Sequence, residues 1–142
     1  MMGHPPDALH VARHFASSLD AVDYDAALPW LAPECRYEVG DATHIGPDAI
    51  LASYRKSSDW AKSALDEIRY ESVVRAGDDG WVIVEYIDHL KHRGATLVHR
   101  CEQHLQIDPH GLITRIRHVD LPGEQEAVEG FLKQAGVSRA RD

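Results

Sequence analysis

Histidine and aspartate recur at alternate positions near the end of the segment 112–121, and this spacing could serve proton transfer. In a β-strand, alternate side chains share a face, so His118 and Asp120 would point the same way, as would Leu112, Thr114 and Ile116. Two arginines mark the opposite face as the solvent or dimer side, which would carry Ile113, Arg115, Arg117 and Val119. The first face would then turn toward the core, where titratable groups are costly unless they are paired or used.

A second polar segment precedes this one and is expected to pair with it in a hairpin. The turn signal at Asp108–Gly111, if centred on its two middle residues, puts His99 opposite Asp120 and Gln103 opposite Ile116. This register predicts a His99/Asp120 pair. An aspartate fixes the tautomer of a neighbouring histidine, and burial raises the pKa of a carboxylate toward the range of a general acid or base.

The hairpin before it has two possible registers. A tight turn at Arg93-Gly94 puts Asp88 opposite His99 and Tyr86 opposite Cys101, whereas a loop two residues longer puts Tyr86 opposite His99. Either register leaves His99 between polar partners.

The same residues also have a structural interpretation. Histidine and aspartate on adjacent strands can satisfy each other's hydrogen bonds and fix the register of the sheet. Tyr37, Tyr54 and Tyr86 can be core aromatics whose hydroxyls reach a carbonyl. Gln103 is harder to explain in this way, because a long amide in a dry core needs several partners.

Metal-ligand residue types occur along 89–104, but their intervals match no standard zinc pattern, and we expect no metal. Cys35 and Cys101 lack CxxC spacing and are expected to be buried thiols rather than a disulfide.

Three helices are predicted before the long strands. Apolar residues recur at helical spacing from residue 7 to about residue 20, and Asp7 can begin that helix. Asp23 caps a short second helix, which would carry Trp30 and stop at Pro33. A third helix opens at 46–48, with proline at an early position.

Strands and a last helix complete the chain. A short strand is predicted at 35–39, and four further strands form a meander over 68–74, 81–91, 95–107 and 112–121. An amphipathic segment at about 123–135 follows. This order predicts an α+β fold, in which helices cover one face of an antiparallel sheet, as a single domain spanning 1–142 with its core at about 8–121.

Charge and hydropathy exclude two classes of partner. With 23 acidic and 15 basic side chains, the formal net charge of −8 disfavours nucleic acid, because phosphate neutralisation needs clustered basic residues. No apolar run approaches the roughly 20 residues of a membrane span, and no secretory signal is visible at the start. We therefore expect a cytoplasmic protein whose partner is neither nucleic acid nor a membrane.

Two stretches carry a family resemblance. Gly-Pro-Asp-Ala-Ile-Leu-Ala-Ser-Tyr at 46–54 and Asp-Pro-His-Gly-Leu-Ile-Thr-Arg-Ile-Arg-His-Val-Asp at 108–120, in this order of elements, resemble the SnoaL-like branch of the nuclear-transport-factor-2-like superfamily. The resemblance covers roughly 8–121. It implies a cone in which a curved sheet and its helices enclose a pocket for a small hydrophobic molecule. It also implies no cofactor and a homodimer formed through the outer face of the sheet.

The ketosteroid isomerase pattern within that superfamily is not matched. Phe15 stands where that pattern has a hydrogen-bond-donating tyrosine, and Val39 stands where it has the aspartate base. Gln103 stands at its third key position, an aspartic acid that is the second donor. Classical steroid isomerisation is therefore not expected, although Tyr54 matches an aromatic position that lines the pocket. SnoaL-like cyclases are similar in placing an aspartate near the end of the late strand, which supports Asp120.

The first functional hypothesis is a cofactor-independent isomerase, cyclase or dehydratase that acts on a small apolar carbonyl compound. Asp120 would move the proton with help from His99, and His118 or Tyr86 would stabilise oxyanion charge. The substrate would be positioned and enclosed by Gln103, Tyr54, Tyr37, Asp88, Phe15 and Trp30.

Two alternatives stay open. The same cone could be a non-catalytic module for ligand binding or dimerisation, in which the polar cluster is structural. Epoxide hydration, as in limonene-type enzymes, would need an arginine that points inward in an Asp-Arg-Asp arrangement. Alternation instead places Arg100, Arg115 and Arg117 on the outer face of the sheet.

Overall fold

Asp7 begins the first helix, because its side chain accepts a hydrogen bond from the backbone N–H of Leu9 at 3.0 Å. The computed structural model describes residues 7–137. Its helices are α1 (Ala8–Asp20), α2 (Tyr24–Ala27), α3 (Pro47–Ala64) and α4 (Glu124–Ala135). Its strands are β1 (Leu31–Val39), β2 (Ala42–Ile45), β3 (Glu67–Ala76), β4 (Val82–His92), β5 (Ala95–Ile107) and β6 (Ile113–Asp120). None of the helices described is both long enough and apolar enough to span a membrane.

The second helix is shorter than the sequence indicates. It gives way at Leu28 to a single tight turn that contains Trp30, and Leu31 already belongs to β1. Pro33 therefore lies inside a strand rather than at the stop of a helix. It occupies the part of β1 where pairing with β6 is interrupted, so its missing N–H removes no ladder hydrogen bond.

The six strands form one curved, open sheet in the order β2-β1-β6-β5-β4-β3. The predicted meander of the last four strands is confirmed, and β1 adds to it by pairing in parallel with β6. Strand β2 was not predicted. It exists because Gly40 has a φ of 55°, which lets the chain reverse after Val39 and pair with Ala42.

Two apolar clusters cover the inner face of this sheet. The larger packs α1 on the strands and is centred on Phe15, Val84, Leu105 and Ile116, each fully buried. The smaller joins the end of α3 to α4 around Leu90, Phe131 and Leu132. The helices thus lie on one side of the sheet, as the α+β prediction requires.

The hairpin between β5 and β6 differs from the predicted register by two residues. Asp108 Oδ1 accepts hydrogen bonds from the backbone N–H groups of His110 and Leu112, which extends the loop so that Ile107 pairs with Ile113. Thr114 is then an extra residue that bulges before the ladder resumes.

The changed register corrects two predictions. Asp120 lies opposite Cys101 and not opposite His99, and Gln103 lies opposite His118. The bulge also turns Ile113 into the core, although alternation alone assigned it to the outer face. The longer loop and the bulge each shift the register by one residue. Because the total shift is two residues, His118 and Asp120 still point to the same face as Cys101 and Gln103.

The β4–β5 hairpin takes the tighter of the two possible registers. Arg93 and Gly94 have φ values of 51° and 81°, so both central residues are left-handed, as a two-residue turn between twisted strands requires. Asp88 therefore pairs with His99, and Tyr86 with Cys101.

This turn provides a test of backbone strain. A Cβ added at Gly94 or at Gly130 in α4 would meet no atom within 4 Å, and only Gly94 has a positive φ. We expect Gly94→Ala to lower the free energy of unfolding by about 1 kcal/mol. Gly130→Ala should instead raise it by about 0.5–1 kcal/mol, since alanine is the better residue inside a helix. Urea unfolding of both variants checks the opposite signs, and equal signs would contradict the left-handed turn.

Candidate functional site

Polar side chains fill the inner face of the sheet between the two apolar clusters. They form cross-strand rows, because pairing aligns alternate residues of β3, β4, β5 and β6. We call these residues the polar belt: Tyr70, Ser72, Tyr86, Asp88, His99, Cys101, Gln103, His118 and Asp120. An apolar row bounds the belt on each side, Val82 and Leu105 on one and Leu90 and Leu97 on the other.

The central row of the belt runs through Ser72, Tyr86, Cys101 and Asp120, one residue from each strand. Cys101 has a small side chain between two larger polar ones. Burial raises the pKa of its thiol to about 12, so it stays protonated and contributes no charge. The reactive groups of this row are therefore the phenol of Tyr86 and the carboxylate of Asp120.

Gln103 connects three elements through its amide. Its Oε1 accepts from the hydroxyl of Tyr54 on α3 at 2.6 Å, and its Nε2 donates to the hydroxyl of Tyr37 on β1 at 3.1 Å. The same Nε2 lies 3.3 Å from Nδ1 of His118. The rings of Tyr37 and Tyr54 stack with centroids 5.0 Å apart, which holds both hydroxyls beside the amide. Both hydrogens of the amide are thus directed at protein groups.

His118 is held at both ring nitrogens. Because Gln103 donates toward Nδ1, that nitrogen acts as the acceptor and the proton of the neutral ring sits on Nε2. Nε2 lies 2.8 Å from Oδ1 of Asp120 and donates to it. The Gln103 amide therefore orients the His118 ring, and the ring in turn orients the carboxylate of Asp120.

Asp120 is more exposed than the sequence predicted. Its side chain is 48% accessible at the end of β6, and Gln125 of α4 donates a further hydrogen bond to Oδ1 at 3.1 Å. Partial burial alone would raise the pKa of Asp120, but the hydrogen bonds from His118 and Gln125, together with the charges of His118 and His99, outweigh it and lower the pKa. The prediction of a buried carboxyl with a raised pKa is wrong at this residue.

His99 keeps a polar partner, although not the predicted one. Its Nδ1 lies 3.8 Å from Oδ2 of Asp88, its cross-strand neighbour. That separation is too long for a hydrogen bond, so the two side chains are close neighbours without a direct bond. His99 flanks Cys101 on β5, so it lies beside the central row.

Tyr86 has a buried hydroxyl with no hydrogen-bond partner among residues 7–137. Burial raises the pKa of this phenol well above its usual value, and the negative charges of Asp20 and Asp88 add to the rise. The phenol therefore remains protonated and is a donor without an acceptor. Leaving such a group unpaired costs about 1–3 kcal/mol, so the position needs an explanation.

Asp20 is a site residue that sequence reasoning missed. It ends α1 and accepts a hydrogen bond from the hydroxyl of Ser72 at 2.6 Å. Burial raises the pKa of Asp20 against the effect of the Ser72 hydrogen bond, and the neighbouring carboxylates Asp88 and Glu71 raise it further. A signal was available, because Asp20 lies four residues after Ala16 and so continues the apolar face of the helix.

Two predicted pocket residues do not reach the polar belt. Phe15 is fully buried in the larger apolar cluster, where its ring meets the edge of Tyr54 at 6.1 Å. Trp30 lies on the other side of α1, where it stacks on His14 at 5.3 Å. Trp30 is partly buried against the larger apolar cluster there, because it belongs to the tight turn after α2 and not to a longer helix.

The arginines near the sheet point outward. Arg100 pairs with Glu85 at 3.1 Å, and Arg115 pairs with Glu38 at 2.7 Å, both on the outer face. Within residues 7–137 the belt contains no arginine, and no group of three or more His, Cys, Asp or Glu could hold a metal ion. The Asp-Arg-Asp arrangement expected for epoxide hydration is therefore not assembled in this part of the chain.

A cleft of about 260 Å³ lies elsewhere, between α2 and α3. Its lining includes Tyr24, Asp48 and Arg55, and the guanidinium of Arg55 sits over the Tyr24 ring at 5.0 Å. No residue of the polar belt lines it.

Comparison with solved structures confirms the predicted fold. A proposed polyketide cyclase from Xanthomonas campestris is 20% identical, with a TM-score of 0.64 over 90% of this chain and 96% of that one. An NTF2-like protein of unknown function from Exiguobacterium sp. is 13% identical, with a TM-score of 0.62 over 79% of this chain and 98% of its own. An LEH-like epoxide hydrolase from M. tuberculosis is 18% identical, with a TM-score of 0.61 over 89% and 93%. No family model and no curated protein sequence matches the chain.

Proposed function

We propose that this chain, which has the nuclear-transport-factor-2-like fold, binds a small, mostly apolar carbonyl compound at the polar belt and moves a proton on it without a cofactor. The observation that carries the proposal is the buried hydroxyl of Tyr86, a donor with no acceptor in the described protein. A ligand oxygen would supply that acceptor. The apolar rows on both sides of the belt suit the hydrocarbon part of such a ligand.

Tyr86 is suited to stabilise charge that develops on the carbonyl oxygen. A phenol with a raised pKa keeps its proton while the oxygen becomes an enolate, and the buried setting strengthens the hydrogen bond. The hypothesis from sequence offered His118 as another candidate for this role. Both nitrogens of His118 already face protein partners, which favours Tyr86.

Asp120 is the proposed proton acceptor. It shares the central row with Tyr86, and the small Cys101 separates them by two strand spacings, about 10 Å between backbones. Only Oδ1 of Asp120 is bound by His118 and Gln125, so Oδ2 is the oxygen we assign to the proton. In this scheme His99 assists from the row beside Asp120, and Gln103 and Tyr54 act behind His118 as positioning residues.

The solved structures with this fold support a small-molecule function. One is a proposed polyketide cyclase, and another is an LEH-like epoxide hydrolase. The absence of an inward arginine from the belt favours carbonyl chemistry over epoxide opening.

Exchange of a ketone's α-protons in heavy water tests the proposal directly. We expect the wild-type protein to accelerate exchange in benzylacetone or another member of a panel of small ketones, followed by proton NMR. Asp120→Asn should reduce the rate about 10²-fold, because the amide cannot take the proton. The matched control is Asp41→Asn, in the exposed turn between β1 and β2. Equal rates in the Asp120 and Asp41 variants would refute the role of Asp120.

A binding module without turnover is the second candidate. It is favoured by the lowered pKa and half-exposed position of Asp120, which make this carboxylate a weak base. In that case native mass spectrometry would detect a bound ketone in the wild type and in Asp120→Asn alike, and exchange would stay at the solvent rate in both.

A further inference from the structure

Two histidines lie on the exposed side of α1, one helical turn apart. His10 and His14 are four residues apart within the helix, and both are exposed. Residues at this spacing are neighbours on a helix surface, and two histidines placed in this way can bind the same metal ion. We propose that His10 and His14 form a binding site for a divalent copper ion. No residue of the polar belt takes part in this site, so it is separate from the proposed function.

The two imidazole rings already lie near the separation that one metal ion needs. Their centroids are 4.3 Å apart, and the ring planes meet at 60°. With metal–nitrogen bonds of about 2.0–2.1 Å, two imidazoles at a right angle around an ion have centroids about 4.5 Å apart, whereas a tetrahedral angle needs about 5.2 Å. The observed separation therefore favours an ion with tetragonal geometry, Cu²⁺ or Ni²⁺, over tetrahedral Zn²⁺.

The indole of Trp30 holds both rings in place. It stacks on His14 with centroids 5.3 Å apart and ring planes 24° from parallel, and it meets His10 edge-on at 6.3 Å. Trp30 is itself packed against the larger apolar cluster, which restrains it on the side away from the histidines. Side chains that are ordered before binding lose less entropy when the ion arrives. The contact with Trp30 therefore distinguishes this pair from two freely rotating surface histidines.

The remaining coordination positions of the ion would be filled by water. In the described part of the chain no group of three or more His, Cys, Asp or Glu could hold a metal ion, so the site has two protein ligands. Cu²⁺ binds nitrogen ligands more strongly than the other divalent first-row metals do, and it is the ion best suited to a site with few ligands. The formal net charge of −8 also attracts a cation. The expectation of no metal rested on the intervals along 89–104, which do not include this pair.

Titration of the full-length protein with Cu²⁺ tests the site. Isothermal titration calorimetry should detect one tightest site, and His10→Ala and His14→Ala should each raise its Kd about 10²-fold, because a single imidazole cannot chelate the ion. Two histidines serve as matched controls: His110 in the exposed turn before β6, and His4, which lies outside the described residues. Replacing either by alanine should change the Kd by less than about threefold.

The fluorescence of Trp30 reports where the ion binds. A Cu²⁺ ion held by both imidazoles would lie close to the indole that stacks on His14, and a paramagnetic ion at that range quenches indole emission. We expect Cu²⁺ to quench part of the emission of the wild type. In Trp30→Phe the quenching should disappear, although calorimetry still detects binding.

Several results would overturn the site. A Kd that is the same in the wild type and in His14→Ala would mean that copper contacts surface histidines only adventitiously. A loss of affinity in His4→Ala, or quenching that persists in Trp30→Phe, would place the ion elsewhere. Ketone exchange without copper should be the same in the wild type and in His14→Ala, so the copper site and the proposed function can each fail alone.

Discussion

Replacing Tyr86 by phenylalanine is expected to make the protein more stable and to remove its activity. The hydroxyl of Tyr86 is buried without a partner, so its removal relieves a desolvation penalty and leaves the packing of the ring unchanged. We expect the free energy of unfolding to rise by about 1 kcal/mol. The rate of ketone exchange should fall about 10²–10³-fold, the usual effect of losing one donor to an oxyanion. Urea unfolding and heavy-water exchange on the same samples measure the two changes.

Tyr54→Phe is the matched control for that substitution. The hydroxyl of Tyr54 donates to Oε1 of Gln103 at 2.6 Å, so its removal leaves a buried acceptor unpaired. We expect this variant to lose about 1–2 kcal/mol of stability. Opposite signs for the two tyrosines would mean that Tyr86 is kept for a ligand. A loss of stability in Tyr86→Phe would mean that its hydroxyl has a partner in solution, and the main support for the proposed function would be gone.

Local pattern was sufficient for most of the elements. Helix α1 was predicted because apolar residues repeat at helical spacing behind an aspartate cap, and β5 was predicted with its observed bounds, Ala95–Ile107. The alternation of Ile68, Tyr70, Ser72 and Val74 likewise identified the inner face of β3. In each case the signal lies within one segment of chain, where periodicity reports directly on which side is buried.

Register depended on details that periodicity does not contain. The β5–β6 hairpin shifted by two residues because Asp108 holds a longer loop with its side chain and because Thr114 bulges. Neither feature changes the alternation of the flanking segments. The prediction that Cys101, Gln103, His118 and Asp120 share one face was therefore correct. The predicted His99/Asp120 pair did not form.

In the candidate site too, the residues that follow from local pattern were predicted, and those placed by tertiary contacts were not. Residues on the strands were found because they share a parity, whereas Asp20 and Gln125 come from helices that cross the sheet at places decided by tertiary packing. The contacts of Asp20 and Gln125 affect the acid–base groups of the site more than the two-residue shift in register does. Gln125 helps to keep Asp120 ionised, and the position of Asp20 beside Ser72 gives the row its second carboxyl.

Gln103→Met is expected to be the most destabilising of these substitutions. Methionine nearly matches glutamine in volume but has no amide. The substitution therefore removes the hydrogen bonds of the amide to the hydroxyls of Tyr37 and Tyr54 and to Nδ1 of His118, although the two hydroxyls still contact each other. At about 1 kcal/mol for each of the lost hydrogen bonds, the free energy of unfolding should fall by about 3 kcal/mol. Gln106→Met makes the same change on the outer face of β5 and should have an effect within about 0.5 kcal/mol.

The double variant Gln103→Met/Tyr54→Phe decides whether the amide holds a network or fills space. If the hydrogen bonds carry the stability, the two substitutions remove the same bond, and their combined cost should be smaller than the sum by about 1 kcal/mol. Strict additivity would mean that Gln103 acts by packing alone. His118 would then lack the restraint that fixes its tautomer, and Asp120 could not be aimed at a ligand through it. The stability of the free protein and the orientation of its proposed base therefore depend on one side chain.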